Sequence, residues 1–436
     1  MENLAHVAAR RLQLQHQLGR DGLAVITAAP EAQRNSDAHY RYRQDSDFYY
    51  LTAFPEPEAV AVLAPGSPHG DFILFCRDRN PTAELWSGRR AGLAGAKEKY
   101  GADSAYPIQD LDHLMPELMA GREHLHYRYG QQSAFDKRVM TWLNVLRDKS
   151  RKGMKLPENL HDLGALTQEM RLFKHSEEIA LMRAAARISS AAHVRAMQAS
   201  RHATFEYELE AELLYEFYRH GCRAPAYDSI VASGENACIL HYTDNHARMD
   251  EKSLILIDAG GEFQNYAADI TRTFPKSGRF SAEQKAIYEV VLRSQQAALD
   301  VAKPGARWSK MQTEIVRVMS EGLLDLGILQ GSLEEVLEQK SYEKVYMHSS
   351  GHWLGLDVHD VGRYKINDEW RELEPNMVLT VEPGVYIASH TSGVDPKWWG
   401  IGIRIEDDVL ITPNGHEILS IDAPKTVVEI ESVMSQ

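Results

Sequence analysis

The stretch SLILIDAGGEFQNYAADITRTF, residues 253–274, places two aspartates within strand-like sequence. Asp258 ends an apolar run, and Asp269 lies in a second run across a Gly-Gly turn. Aspartate is depleted in strands because its short charged side chain packs poorly on a half-buried surface. Two aspartates that face inward from paired strands would repel one another unless a cation lay between them. The stretch therefore predicts a pair of strands that carries a cation site.

Acidic and imidazole side chains recur further along the chain. Glu382 in LTVEPGVYI and Glu406 in GIGIRIEDDV both interrupt apolar strand patterns, although Glu406 taken alone would be an ordinary solvent-facing acid. His348, His352 and His359 fall within HSSGHWLGLDVHDVG, residues 348–362. Imidazole is the commonest metal ligand in proteins. One isolated histidine is more often structural, so these three indicate a metal site only if further ligands occur elsewhere in the chain.

The charge of such a set indicates how many ions it would hold. Asp258, Asp269, Glu382 and Glu406 together with His352 carry a charge of about −4 at neutral pH. Two divalent cations neutralise that charge, whereas one would leave the site anionic. Ligation by oxygen with a single nitrogen and no thiolate favours hard or borderline metals, Mn²⁺ first. Two such ions about 3.5–4 Å apart are the arrangement of two-metal hydrolases.

The N-terminal part, residues 1–173, alternates helical and strand-like segments. A helix is predicted at roughly 3–20, before the strand-like runs LAVITA, DFYYLTAF, AVAVLAP and DFILFCR. Helical patterns return in AELWSGRRAGLAGAKEKYG and AFDKRVMTWLNVLRD. Because 436 residues exceed the usual size of one hydrophobic core, two domains are expected. Alternation of this kind predicts an α/β domain.

The C-terminal part, residues 174–436, has a different texture. Four long helices are predicted, at about 176–199, 205–220, 281–302 and 306–325. Ser176 is expected to be the N-cap of the first helix, with acids in its first turn. The strand-like runs between and after these helices look like hairpins rather than crossovers, which predicts an α+β domain.

Composition excludes several classes of function. A formal net charge of −14 argues against nonspecific binding to nucleic acid, whose phosphates require Lys and Arg. No apolar run approaches membrane-spanning length, and the N-terminus lacks the apolar centre of a secretory signal. The three cysteines, Cys76, Cys222 and Cys238, are scattered and favour a reducing compartment over a disulfide framework. A cytoplasmic protein is therefore expected.

Five residues form an ordered set: Asp258, Asp269, His352, Glu382 and Glu406. Their order resembles that of the metallopeptidases of the methionine aminopeptidase/prolidase/aminopeptidase P group. Residues 348–362 are similar to the histidine signature of the proline-peptidase branch, except that Ser350 stands where an apolar residue is usual. Residues 42–60, YRQDSDFYYLTAFPEPEAV, resemble the N-terminal domain of bacterial aminopeptidase P. The resemblance spans nearly the whole chain.

The resemblance implies a fold and a division of roles. Residues 174–436 would have the pita-bread fold, after an N-terminal domain of the creatinase/aminopeptidase P type. Asp258 would chelate one metal ion and His352 the other, while Asp269 and Glu406 bridge both. Glu382 would be a ligand and the general base.

Further residues are assigned around the metals. The resemblance implies that His359 and His241 hold the substrate and stabilise the tetrahedral intermediate, while His348 lies nearby as a non-ligand. Arg404 stands two residues before a ligand and is expected to support the site or contact the substrate. Trp86 in ELWSGRRAG is expected to line a substrate groove.

The implied activity is that of a metalloaminopeptidase that releases the N-terminal residue from peptides with proline second. Ordinary peptidases fail at this bond because the tertiary amide has no N–H and the ring fixes φ. The main alternative is a prolidase, which would use the same chemistry on dipeptides. A non-catalytic or metal-free, creatinase-like protein is disfavoured because all five ligand positions are filled. A methionine aminopeptidase is disfavoured because this chain has an extra domain before the catalytic one. The resemblance also favours a homotetramer or dimer.

Overall fold

The structure is a computed structural model that describes residues 4–436, and the chain divides into two compact units between Met170 and Arg171. This division falls inside the helix Gly164–Leu172. The domain boundary at 173/174 stays a prediction. No helix in the described part of the chain combines the length and the apolar character that crossing a bilayer requires.

The N-terminal unit is built on a mixed six-stranded sheet. Its strands in spatial order are Ser104–Pro107, Phe72–Cys76, Val60–Leu63, Gly22–Thr27, His124–Tyr127 and Asn159–Asp162. The two pairings made by Val60–Leu63 are antiparallel, and the other three pairings in the sheet are parallel. Two short strands, Gln33–Asn35 and Ala38–His39, form a separate hairpin.

Helices cover this sheet, as the predicted α/β class requires. In the described chain they are Ala5–Leu18, Ser46–Thr52, Pro81–Ser87, Gly92–Glu98, Leu111–Met119, Ser133–Asp148 and Gly164–Leu172, with 3₁₀ turns at Ile108–Asp110 and Ser150–Lys152. Alternate strand residues such as Leu23 and Val25 pack with Met115, Val139 and Trp142 of two helices in one core.

Two local predictions in this unit were wrong. The run DFYYLTAF forms the helix Ser46–Thr52, because Asp45 accepts a hydrogen bond from the backbone of Phe48 and so caps its first turn. Periodicity alone cannot separate helix from strand in so short an apolar run. The expected helix around Trp86 is two short helices, since Gly88 adopts a φ of 86° between them.

The C-terminal unit contains the four long helices that were predicted. Among its described residues the helices are Ser176–Ser200, Glu206–Arg219, Ala282–Val301, Trp308–Asp325, Leu333–Glu338 and Val427–Met434, with 3₁₀ turns at Gly234–Cys238, Ser341–Lys344 and Pro396–Trp398. Ser176 is not the N-cap of the first helix. His175 holds that position, and its backbone N–H donates to Glu178 at 2.9 Å.

All strand pairings in this unit are antiparallel, in accordance with an α+β domain. The described strands are Ala224–Pro225, Ile230–Ser233, Leu254–Asp258, Gly261–Phe263, Tyr266–Ala267, Thr271–Pro275, Lys365–Ile366, Glu369–Trp370, Val378–Val381, Gly384–Ile387, Ile401–Arg404, Asp407–Thr412 and Gly415–Ile418. One continuous apolar core joins these strands to the long helices.

Candidate metal centre

Two neighbouring segments present the aspartates. Leu254–Asp258 pairs antiparallel with Thr271–Pro275, which sets Asp258 opposite Thr271, and Asp269 lies two residues before that partner strand. The Tyr227 hydroxyl lies 2.6 Å from a carboxylate oxygen of Asp258 and 2.5 Å from one of Asp269. The two carboxylates therefore do converge, as the sequence predicted.

The predicted Gly-Gly turn between them is wrong. The chain reverses at Gln264 and Asn265, which have φ values of 50° and 66°. Gly260 serves another purpose: a Cβ atom at this position would lie 1.7 Å from the carbonyl oxygen of Ala268. Glycine is thus required because the outgoing and returning backbones pass in direct contact.

The two glutamates lie where strands break. Glu382 separates Val378–Val381 from Gly384–Ile387, and Glu406 stands between Ile401–Arg404 and Asp407–Thr412. Val378–Val381 pairs with Asp407–Thr412, and Gly384–Ile387 pairs with Ile401–Arg404. The two breaks therefore lie opposite each other. Glu406 is only 1% exposed, and so it is not the solvent-facing acid that its position alone suggested.

His352 completes the cluster. Its Nε2 atom lies 3.2 Å from an oxygen of Asp269 and 3.7 Å from one of Glu382. Asp269, His352 and Glu406 each offer a ligand atom, and these atoms all lie within 4.8 Å of one another. This is the spacing of side chains that can share a metal ion.

Burial and repulsion shift the pKa values of this cluster. Burial and then the charge of Asp258 raise the pKa of Asp269, and burial raises the pKa of Glu382 to about 7. Burial followed by Asp269 and Glu382 raises the pKa of Glu406 well above its ordinary value. Burial opposes protonation of His352, but Asp269 outweighs it and raises the pKa of His352 to about 9. The carboxylates crowd together with too little positive charge, so the set fits divalent cations.

Arg404 links the cluster to its surroundings. Its guanidinium donates to Asp258 at 2.6 Å, to the Tyr386 hydroxyl at 2.9 Å and to Thr271 Oγ1 at 3.1 Å. The Thr271 hydroxyl in turn donates to Glu406 at 2.6 Å. The arginine is 4% exposed, which indicates that it orients the acids as well as balancing their charge.

The other predicted histidines face the same cleft. The ring of His359 meets that of His352 edge-on, with centroids 4.3 Å apart, and burial lowers its pKa. His348 contacts the Tyr386 hydroxyl at 2.9 Å, and burial followed by Arg404 lowers the pKa of His348 to about 4. The cleft has a volume of about 580 Å³ and is lined by Leu240, His241, Asp258, Asp269, Trp308, His348, Ser349, Gly351, His352, His359, Tyr364, Trp370, Glu382, Arg404 and Glu406.

Two residues singled out in the sequence have other surroundings. Trp86 belongs to the N-terminal unit and is 89% exposed on the helix Pro81–Ser87, so its role stays a prediction. Ser350, the departure from the usual signature, is buried. Its backbone N–H and its hydroxyl reach Gln312 at 2.9 and 2.6 Å, and its hydroxyl also contacts that of Tyr346.

Sequence reasoning missed several contributors. Thr271 and Tyr386 could have been considered, because they follow Asp269 and Glu382 at even spacing within runs that the sequence predicts as strands. Tyr227 carries no such signal, since it lies in a loop more than thirty residues before either of its partners. Its proximity follows only from the folded structure.

The fold and site define a two-unit protein with a carboxylate-rich metal centre, and comparison with known proteins agrees. Residues 180–413 match metallopeptidase family M24, and residues 7–127 match the N-terminal domain of aminopeptidase P. The Xaa-Pro aminopeptidase of Escherichia coli (strain K12) is 46% identical over 98% of this chain and 96% of its own.

Solved structures give the same result. An aminopeptidase PepP from Pseudomonas aeruginosa has a TM-score of 0.97 at 52% identity, with 98% of this chain and 97% of that chain covered. Zinc-substituted aminopeptidase P of E. coli, in complex with product, has a TM-score of 0.96 at 45% identity, with coverages of 99% and 98%. The chain belongs to metallopeptidase family M24, in its aminopeptidase P branch. The predicted pita-bread fold and metalloaminopeptidase class are confirmed, and the prolidase alternative is not favoured.

Proposed function

We propose that this protein removes the N-terminal residue from peptides whose second residue is proline, with two divalent metal ions, Mn²⁺ first, held by Asp258, Asp269, His352, Glu382 and Glu406. The observation that carries the proposal is the convergence of these side chains in one cleft of a chain that is similar to Xaa-Pro aminopeptidases from end to end. When bound, such ions supply Lewis-acid activation of the scissile carbonyl and of a water molecule.

The carboxylates divide the work of ligation and proton transfer. Asp269, His352 and Glu406 each offer a ligand atom within 4.8 Å of the others. In our proposal Asp269 and Glu406 would be shared by the two ions, while Asp258 and His352 would each hold one. Glu382 lies 3.7 Å from the same Nε2 atom of His352 and would be both ligand and general base. A base buried in the cleft can hold the proton of the attacking water and pass it to the leaving proline nitrogen.

Imidazole groups at the rim act on the substrate. His359 and His241 line the cleft beside the carboxylates, where an N–H donor can stabilise the charge that develops on the scissile carbonyl. His348 and Arg404 share the Tyr386 hydroxyl and form the wall of the substrate site. We further propose that Trp86 contributes to peptide binding and that the protein is a homotetramer or dimer. We also propose that it acts in the cytoplasm, because its three free cysteines are typical of a reducing compartment.

Peptide length tests the proposed activity. Purified protein is assayed with Mn²⁺ against an Xaa-Pro-Xaa tripeptide, the matching Xaa-Pro dipeptide and an Xaa-Ala-Xaa tripeptide. We expect kcat/KM to be highest for the proline tripeptide, because the residue after proline adds contacts that are used in the transition state. The alanine tripeptide should not be cleaved. Cleavage of the dipeptide with refusal of every longer peptide would make the protein a prolidase.

A matched pair of variants tests the ligand assignment. Asp258→Asn and Glu406→Gln preserve shape while each removes one anionic ligand, so both should abolish turnover and lower the bound metal. Glu417→Gln changes an exposed carboxylate on the same unit and serves as the control. Wild-type turnover at unchanged metal content in either ligand variant would remove that residue from the centre.

A further inference from the structure

A second cavity, the side chamber, adjoins the metal cleft within the C-terminal unit. Its volume is about 390 Å³, which lies in the range of about 300–1,000 Å³ that is typical of ligand pockets. The side chamber shares five lining residues with the cleft: Trp308, His348, Ser349, Gly351 and Trp370. The five proposed metal ligands line the cleft and not the side chamber, so the use of the side chamber lies beyond the metal chemistry.

Aromatic and thioether side chains form much of the wall of the side chamber. Trp308 begins the helix Trp308–Asp325, and Met311 follows one turn later on the same face. Tyr342 and Tyr346 line the cavity from the segment that precedes the histidine run. Aromatic rings offer a large apolar surface to a ligand, and methionine adapts its shape to what it contacts. This wall therefore suits an apolar side chain.

Several polar groups of the side chamber already have partners within the chain. Oε1 of Gln312 accepts from the backbone N–H of Ser350 at 2.9 Å and from its hydroxyl at 2.6 Å. The Ser350 hydroxyl also contacts that of Tyr346, and the Thr313 hydroxyl donates to the carbonyl of Ser309 at 3.0 Å. Because these groups satisfy one another, an apolar occupant would not leave them without hydrogen bonds.

The border between the two cavities indicates which part of a peptide would enter the side chamber. His348 lies on this border: its ring meets that of Tyr346 edge-on, and its Nε2 atom lies 2.9 Å from the Tyr386 hydroxyl, which Arg404 of the cleft also contacts. A substrate of an aminopeptidase has one residue before the scissile bond and any number of residues after it. Room beyond the cleft therefore fits the part of the peptide that follows proline.

Exposed residues on the side chamber would give a longer peptide a way out. Met347 and Trp370 line the cavity and are 49% and 40% exposed, and Glu343 is exposed as well. A cavity closed at its far end would admit one residue and stop the chain there. The side chamber is open to solvent along these residues, so it can hold a side chain while the backbone continues.

We propose that the side chamber is a subsite for the residue after proline, and that it favours an aromatic side chain there. This inference rests on the proposed function and narrows its substrate class. A phenylalanine ring would be buried among Trp308, Met311 and Tyr342, where contacts between rings add to the effect of burial. Contacts with a residue remote from the scissile bond can also be used in the transition state.

Two pairs of peptides measure this preference on the full-length protein. Turnover with Mn²⁺ compares Ala-Pro-Phe-Gly with Ala-Pro-Gly-Gly, and calorimetry compares the Kd of the product peptides Pro-Phe-Gly and Pro-Gly-Gly. We expect the phenylalanine peptide of each pair to be favoured about tenfold or more, as burial of such a ring implies. Tighter binding of Pro-Phe-Gly without cleavage of either tetrapeptide would contradict the proposed function and support the subsite.

A filled side chamber provides the decisive variant. Thr313→Trp places a ring in the space that phenylalanine would take, so the two peptides of each pair should become equal. Thr141→Trp is the matched control and should keep the wild-type preference. Thr141 is also an exposed helical threonine whose hydroxyl donates to the carbonyl four residues earlier, at 2.8 Å, but it belongs to the N-terminal unit.

A second variant covers a failure of the first to fold. Met347→Ala removes a half-exposed side chain from the wall of the side chamber and should lower the preference for phenylalanine in both assays. Equal values for the two peptides of each pair in wild type would overturn the subsite. A preference that folded Thr313→Trp leaves unchanged would do the same, and if Thr313→Trp does not fold this criterion passes to Met347→Ala. Cleavage of Ala-Pro-Gly-Gly alongside either result would leave the proposed function intact.

Discussion

Asp407, the residue after the proposed ligand Glu406, anchors a largely buried ion network that can be broken by one substitution. One of its carboxylate oxygens accepts from Arg272 and from Ser420, both at 2.7 Å. The other accepts from Lys425 at 2.6 Å and from Gln295 at 3.1 Å. Asp407→Asn removes the charge and turns one acceptor into a donor that faces other donors. Arg272 and Lys425 then lose their carboxylate partner, and the side chain of Arg272 is 0% exposed.

The cost follows from burial. Removal of one partner from a buried ion pair typically costs about 3–5 kcal/mol, because the remaining charge stays buried without compensation. Glu417→Gln is the matched control, since Glu417 also pairs with an arginine, Arg183, through two hydrogen bonds of 2.8 and 2.7 Å. Both of those side chains are well exposed, at 39% and 49%, and loss of an exposed pair costs below about 1 kcal/mol.

The assay is urea unfolding of both variants and wild type at pH 7, without added metal. We expect a much larger decrease in the free energy of unfolding for Asp407→Asn than for Glu417→Gln. Burial would raise the pKa of Asp407, but Arg272 and Lys425 outweigh it and hold that pKa below its usual range. The carboxylate therefore stabilises the fold above its unfolded pKa of about 3.9, and this contribution is lost as the pH falls towards the lower, folded pKa. Equal effects of the two substitutions would refute the reasoning.

Two further predictions concern the metal centre itself. Gly260→Ala forces a Cβ atom against the carbonyl of Ala268, so we expect a loss of about 3 kcal/mol or more in unfolding free energy together with weaker metal binding in a titration. Wild-type metal affinity would show that the two segments can separate freely. His359→Ala should keep most of the metal, measured by elemental analysis, while turnover falls by about 10²-fold, as on losing a donor to developing charge. Metal loss equal to that of His352→Ala would contradict this division of roles.

The sequence could predict those site residues whose side chains conflict with the pattern around them. Asp258, Glu382 and Glu406 are visible because carboxylates are misplaced in apolar strands, and the structure brings all three to one cleft. Their strands do not run through, as the sequence suggested, but break at each glutamate. Pro383 does mark the first break, because proline cannot donate a hydrogen bond to a neighbouring strand. Glu406 lies between Ile405 and Asp407, so the second break has no such signal.

The sequence could not predict contacts between segments that are far apart along the chain. Tyr227 reaches two aspartates from a loop, and Asp408 accepts from the backbone of Asp269 at 3.1 Å across 139 positions of sequence. Predictions of local secondary structure also failed where the helix and strand propensities of a segment were similar. The apolar run at Ser46–Thr52 became a helix through the cap at Asp45, a single hydrogen bond that decides between two conformations of similar propensity.

Anomalous diffraction at the manganese edge most directly tests the proposed dinuclear centre of Asp258, Asp269, His352, Glu382 and Glu406. Crystals of Mn²⁺-loaded protein should show two anomalous peaks among these five side chains, about 3.5–4 Å apart. Glu406→Gln crystals treated in the same way should lose or weaken at least one peak. A single peak in crystals of fully active protein, or two peaks that avoid these carboxylates, would contradict the account.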